Sequence, residues 1–326
     1  MFKALVLDQQ EKKTIAEIRQ IDESQLPEGD VLIDVDYTSL NYKDGLAITG
    51  KGRIVRQFPM VPGIDLAGRV VESKDSRYQT GDSVVLTGWG VGEGHWGGMA
   101  EKASLQADWL VPQPQGITSK QAMMIGTAGL TAMLCVQALV DAGVKPESGE
   151  VLVTGASGGV GSVAVTLLAQ LGYKVAAVTG RVAENGQLLK ELGANRIIDR
   201  CEFEEPARAL EKQLWAGAVD TVGSKVLAKV LAQMDYDGAV AACGLAGGFD
   251  LPTTVMPFIL RGVKLLGTDS VSCPYEKRIN AWNRLVEILP ESYYQQACRE
   301  IELEQAPQYA EAITKGQVTG RIVIKL

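Results

Sequence analysis

The sequence predicts an α/β protein of two domains, a β-rich one followed by a doubly wound parallel sheet. Three observations carry this. The chain has 326 residues, more than one ordinary core at roughly 100–200 residues per domain. Up to residue 125, short β-branched runs are separated by Pro/Gly turns. From Glu150 onward, strand-like and helix-like runs alternate, as they do when parallel strands are covered by helices on both faces.

In the first part, residues 1–7, 31–37, 68–71, 83–86 and 100–104 read as strands. The segments 27–30, 59–63 and 80–82 and the glycine-dense stretch 88–98 supply turn signals, and strands at this spacing suggest a barrel or sandwich. Pro112 and Pro114 mark a break, after which Ser119 opens a helical region that runs to Gly143. Residues 151–153 form a short apolar strand, and Ser162 onward shows helical periodicity up to Gly172. Further buried strands are expected at 175–179, 195–198, 218–222, 239–243 and 263–267, with helices near 184–192, 205–214, 224–234 and 256–261. Beyond Pro274, residues 276–289 and 305–315 read as helices and 320–326 as a strand returning to the first domain. The expected domains are therefore 1–125, completed by 298–326, and 126–297.

Composition narrows the function classes. A net charge of −7 leaves no broad basic field, which argues against nucleic acid as a partner. Cys135, Cys201, Cys243, Cys273 and Cys298 are odd in number, widely spaced and without a C-x-x-C pair, the pattern of reduced thiols in a cytoplasmic protein. No run of about 18 apolar residues and no signal-peptide pattern occurs, so no membrane is expected.

Between the strand at 151–153 and the following helix lies Thr154-Gly155-Ala156-Ser157-Gly158-Gly159-Val160-Gly161. Ala156, Gly158 and Gly161 occupy the small positions of a G-x-G-x-x-G fingerprint. Small residues are needed there so that the backbone turns sharply and approaches a pyrophosphate, with helix N-terminal N–H groups aimed at the anion. The flanking strand and helix meet the context test for that motif. The next strand ends at Thr179-Gly180-Arg181, where an NAD-selective site usually carries Asp or Glu; Arg200 follows the third strand. A missing carboxylate and two arginines favour NADPH, the alternative being two solvated surface arginines.

The chemistry is bounded by what is missing. His95 is the single histidine, set in the loop Glu93-Gly94-His95-Trp96-Gly97-Gly98, and it reads as a flexible-loop residue. Neither the three clustered ligands of a catalytic zinc nor the four of a structural one occur. Hydride transfer without a Lewis acid favours acceptors whose carbonyl delocalises charge, such as enones, quinones and enoyl thioesters. Thr154–Gly161 also fits the T-G-x-x-x-G-x-G spelling of short-chain dehydrogenases. No Tyr has Lys four residues on, however, and about 150 residues precede the turn.

Asn41-Tyr42-Lys43-Asp44, Pro62-Gly63-Ile64-Asp65-Leu66-Ala67-Gly68, Gly81-Asp82-Ser83-Val84, Gly126-Thr127-Ala128-Gly129-Leu130-Thr131-Ala132 and Val153–Gly161 together resemble the zinc-free quinone-oxidoreductase branch of the medium-chain dehydrogenase/reductases. Within it, the chain most resembles the NADPH-dependent acryloyl-CoA reductases. The resemblance implies a GroES-like catalytic domain plus a Rossmann domain. It departs from zinc-dependent members at Asn41-Tyr42 and Ile64-Asp65, where those carry metal ligands.

Carried over by residue, it puts Tyr42 beside the nicotinamide and Ser157, Gly158, Gly159 and Val160 on the pyrophosphate. Thr179, Gly180, Arg181 and Arg200 would hold the 2′-phosphate, and Leu245, Ile259, Ser270 and Gln317 would contact the cofactor from later loops; for Leu245 and Ile259, core packing is the alternative. The expected reaction is hydride transfer to the β-carbon of a 2-enoyl thioester, with Tyr42 donating the proton or orienting the substrate, or water as the proton source. Asp65 is expected to be structural, tying down its turn or pairing with Lys43. Lys51, Arg53 and Arg56 are candidates for coenzyme A phosphates. An NADPH quinone or enone reductase is the competing reading, and a non-catalytic NADPH-binding protein a third. The edge strand at 263–267 suggests a homodimer.

Overall fold

The computed structural model describes residues 1–326 and resolves into two compact units. The first comprises Met1–Thr127, Ser270–Val286 and Cys298–Leu326; the second comprises Ala128–Asp269 and Glu287–Ala297. Residues 270–286, inside the span expected for the second domain, thus belong with the first.

The first unit begins with β1 (Phe2–Gln10) and β2 (Lys13–Ile21), an antiparallel hairpin. Its turn residues Glu11 and Lys12 have φ of 48° and 67°, the conformation usually signalled by Asn-Gly. That signal is absent, so β2 was not foreseen. Then follow β3 (Val31–Leu40), α1 (Tyr42–Thr49), β4 (Asp65–Ser73), β5 (Ser83–Thr87), β6 (Lys102–Leu105) and β7 (Leu110–Pro112). Helix α2 (Ser119–Asp141) bends at Gly126, whose φ of 51° and ψ of −157° are not helical. By length and composition it could cross a membrane, yet 78% of its most apolar window is buried in the protein.

The second unit contains β8 (Glu150–Val153), α3 (Gly159–Gln170), β9 (Lys174–Thr179), α4 (Val182–Glu191), β10 (Arg196–Asp199), β11 (Trp215–Asp220), α5 (Ser224–Ala232), β12 (Met234–Ala242), α6 (Met256–Arg261) and β13 (Lys264–Gly267). Its sheet is wholly parallel in the order β10-β9-β8-β11-β12-β13. Strands covered on both faces read as continuous apolar runs, and Val151, Leu152 and Val153 are all fully buried. The core is formed by Leu152, Val178, Trp215, Leu231 and Val240.

The helix expected at 205–214 does not form. Its donors are taken elsewhere: Glu211 N–H bonds to Ala232 O at 2.8 Å and Leu214 N–H to Gln233 O at 2.8 Å. Pro206 also removes a donor, and this tertiary capture overrides the local periodicity.

The chain continues through α7 (Tyr275–Ile288), α8 (Glu291–Gln296), β14 (Cys298–Glu302), α9 (Ala306–Thr314) and β15 (Arg321–Lys325). Strands β14 and β15 complete the sheet of the first unit, β14-β15-β3-β4-β5-β7, with β6 also paired to β3. The ladder is an open path, not the closed barrel allowed by the strand spacing. One core lies among Leu5, Leu7, Met60, Ile322 and Ile324, another among Ile33, Leu66, Val84, Leu86 and Leu110.

Candidate cofactor and active site

Strand β8 delivers the glycine turn at the carboxyl edge of the parallel sheet, where such folds bind ligands. Gly155 has φ of +58°, a conformation that costs little only without a Cβ. A Cβ on Gly161 would lie 2.3 Å from Gly155 O, so only glycine lets α3 start this close to β8. At Gly158, by contrast, a Cβ would meet a single atom within 4 Å, Gly155 O at 3.3 Å, leaving the outer side of the turn open to an approaching group. The N–H groups of the first turn of α3 have no intrahelical acceptor. This cradle fits a pyrophosphate held by Ser157, Gly158, Gly159 and Val160.

The turn is braced from β11. Asp220 is fully buried and accepts from Thr154 Oγ1 at 2.7 Å and Gly223 N at 2.8 Å. Thr221 donates through Oγ1 to Thr154 O at 2.9 Å. Burial raises the Asp220 carboxyl above its ordinary range, partly offset by these donors. This brace was missed in the sequence because Asp220 lies 66 positions from Thr154.

The candidates for the 2′-phosphate are brought together. Ser157 Oγ and Thr179 Oγ1 are 3.0 Å apart, and Arg181 N–H points to Thr179 Oγ1 at 3.3 Å. The Arg200 guanidinium lies against Gly180, 3.1 Å from where a Cβ would stand, so glycine there admits the arginine. Arg181 also pairs with Glu184 at 3.2 Å. Two hydroxyls at the end of β9, with the Arg200 guanidinium against Gly180 and Arg181 next in the chain, are suited to a phosphate monoester.

In the first unit, Tyr42 is the first residue of α1 and is 41% exposed. Behind it lies a buried polar cluster. Asp65 Oδ1 accepts from Ser39 N at 3.2 Å and Ser39 Oγ at 2.7 Å, while Oδ2 accepts from Asn41 Nδ2 at 3.1 Å and Thr127 N at 2.8 Å. Arg321 lies 3.9 Å from Asp65. It donates to Asn41 Oδ1 at 3.0 Å, Ser39 Oγ at 2.6 Å and the carbonyls of Met123 and Met124 at 3.4 and 3.2 Å. A Cβ on Gly126 would stand 2.6 Å from both Arg321 Nη2 and Asp65 Oδ2, so only glycine there admits the pair.

Asp65 is therefore structural, but its cation is Arg321; Lys43 pairs instead with Glu93 at 2.8 Å. Asp44 caps the same corner, with Oδ1 accepting from Gly63 N at 3.2 Å and Ile64 N at 3.0 Å, and Oδ2 from Asn41 N at 2.9 Å. Burial first, and the Asp65 charge second, push its carboxyl up to about 7.

This donor set does not fit a metal. Asp65 faces a guanidinium, and no three His, Cys, Asp or Glu side chains cluster anywhere. His95 is not the loose loop residue expected: Nε2 is 2.7 Å from Ser104 O and the ring stands edge-on to Trp109 at 5.0 Å.

Among the later-loop candidates, Leu245 follows β12 with its Cα 3.4 Å from the Cβ position of Gly223. Leu245 and Ile259 are 69% and 72% exposed, which overturns core packing for both. Ser270 is buried in the segment before α7, and Gln317 N–H caps α9 through Ala312 O at 3.0 Å. Lys51 is engaged by Glu311 at 2.7 Å and Thr314 at 3.0 Å, leaving Arg53 and Arg56 exposed. The five cysteines are free thiols.

Comparison with known proteins matches residues 27–115 to the alcohol dehydrogenase GroES-like domain and 159–289 to the zinc-binding dehydrogenase domain. The chain is 63% identical over 325 residues to the "Probable acrylyl-CoA reductase AcuI" of Escherichia coli strain K12, covering 100% of both chains. It is 54% identical to acrylyl-CoA reductase AcuI of Ruegeria pomeroyi, covering 99% of both. Among solved structures, the yhdH oxidoreductase of Salmonella enterica in complex with NADP superposes with a TM-score of 0.98 at 64% identity over 99% of each chain. Bacillus subtilis protein yhfP with NAD bound superposes at 0.96 with 45% identity, over 100% of this chain and 99% of that one.

Proposed function

The chain belongs to the zinc-binding dehydrogenase family with an alcohol-dehydrogenase GroES-like domain, the medium-chain dehydrogenase/reductases, and on that premise we propose that it reduces the carbon–carbon double bond of 2-enoyl-CoA thioesters, acryloyl-CoA foremost, with NADPH. The observation that carries the cofactor is the Ser157–Thr179 hydroxyl pair beside Arg181 and Arg200, with no carboxylate at the end of β9. The substrate class rests on the two acrylyl-CoA reductase relatives.

Ser157, Gly158, Gly159 and Val160 hold the pyrophosphate, and Thr179, Gly180, Arg181 and Arg200 the 2′-phosphate. Tyr42, Leu245, Ile259, Ser270 and Gln317 contact the rest of the dinucleotide, with Tyr42 next to the nicotinamide. When bound, NADPH supplies the hydride for reduction at the β-carbon. The chain fixes the donor geometry through the braced glycine turn, and Tyr42 presents a hydroxyl that orients the thioester carbonyl or returns a proton to the α-carbon. The Asn41–Asp65–Arg321 cluster holds the start of α1, so Tyr42 sits on a rigid base instead of a loop. The working state is a cytoplasmic homodimer joined along the exposed β13 edge.

The test is NADPH oxidation with acryloyl-CoA and with a benzoquinone, compared as kcat/KM. A preference of at least a hundredfold for the thioester, about 2.7 kcal/mol in transition-state binding, is expected. A preference of that size for the quinone refutes the assignment and makes the chain a quinone reductase.

A further inference from the structure

Helix α7 buries Arg278, Ala281, Trp282 and Leu285, the i, i+3, i+4, i+7 stripe of a core-facing helix. Three of these four positions are apolar. The fourth carries a cation that is only 1% exposed, where a packing role alone would be met by Leu or Met. Its bonds explain the choice. Arg278 Nη2 donates to the carbonyls of Ser270, Val271 and Cys273 at 3.2, 3.2 and 3.3 Å. Nη1 holds Thr87 through its carbonyl at 2.5 Å and its hydroxyl at 2.6 Å. The guanidinium also stacks on Trp89, 5.0 Å from the ring centroid.

Between β13 and α7 the chain forms no strand or helix, so its carbonyls have no ladder to join, and one planar fork gathers three of them. The opposing loop is equally close. Trp89 N–H bonds to Val271 O at 3.1 Å, and a Cβ on Gly88, at φ of +84°, would lie 2.8 Å from that same oxygen. Thr87, the clamp's other end, is paired with Asp65 in the β4–β5 ladder, and Asp65 anchors Asn41 directly ahead of Tyr42.

We propose that Arg278 is a positioning residue for the cofactor: its guanidinium registers the Ser270 segment against the β5 corner that also holds Tyr42. This rests on the reading above that Ser270 contacts the dinucleotide away from its pyrophosphate and 2′-phosphate, and that Tyr42 lies next to the nicotinamide. Lysine cannot replace it, because an ammonium is a point donor without the fork.

The experiment measures dissociation constants by calorimetry for NADPH and for 2′,5′-ADP, which carries the adenosine 2′-phosphate but no nicotinamide, on wild type, Arg278→Lys and Arg278→Met. NADPH binding is expected to weaken at least tenfold in both variants, less in the lysine one, while 2′,5′-ADP binding stays within twofold of wild type. Thr87→Val removes one acceptor and leaves the fold's charges intact; a two- to threefold loss confined to NADPH is expected even if Arg278→Met does not fold. Unchanged NADPH affinity, or equal loss for both ligands, overturns the proposal alone. A wild-type chain that binds neither ligand overturns the cofactor reading and the proposal with it.

Discussion

Asn in place of Asp44 should remove a pH dependence of stability that the wild type carries near neutrality. Asp44 is 1% exposed, and its carboxyl is pushed from 3.8 up to about 7 by burial and, secondarily, by the Asp65 charge. The native state therefore keeps a proton that the unfolded chain has already lost between pH 3.8 and about 7. Since the unfolded state binds fewer protons in that window, stability falls as pH rises through it and levels off above. At about 1.4 kcal/mol per unit, the full span costs about 4 kcal/mol, of which about 1 kcal/mol falls between pH 6 and 8. The amide of Asp44→Asn does not titrate. Urea unfolding of both proteins at pH 6, 7 and 8 should show the wild type losing about 1 kcal/mol more than the variant over the range. Parallel curves would refute the reasoning, and would mean that the three N–H donors from Asn41, Gly63 and Ile64 outweigh burial and keep the group ionised.

Two further outcomes bear on cofactor and assembly. Arg181→Ala should lower kcat/KM for NADPH at least tenfold, about 1.4 kcal/mol, and leave NADH within threefold; equal loss for both dinucleotides would remove Arg181 from the 2′-phosphate. Because β13 ends the parallel sheet and Ile259, Leu260 and Leu265 nearby in sequence are exposed, light scattering should give twice the 34.9 kDa of one chain, and Leu265→Glu should return it to the single-chain mass. A monomeric wild type removes the dimer.

Features written in neighbouring residues were legible. The glycine turn needs Gly158 and Gly161 within one short stretch, and the 2′-phosphate candidates Thr179, Gly180 and Arg181 are consecutive. Resemblance added Tyr42 and the later loops, which spacing alone does not reveal. The apolar β8–β13 strands and their helices followed from periodicity, except at 205–214, where the carbonyls of Ala232 and Gln233 captured backbone donors.

By itself the sequence determined the two-part α/β plan, the fingerprint turn and the cationic end of β9, because each depends on contacts between residues close in the chain. Only the tertiary structure decided that Asp65 answers to Arg321 and not Lys43, and that a buried arginine on α7 shapes the Ser270 segment. Arg278 and Thr87 are 191 positions apart, and no local pattern encodes which carbonyls a buried cation will find. That choice follows from desolvation: once folding removes water, each charge must take whichever partners the packed chain brings to it.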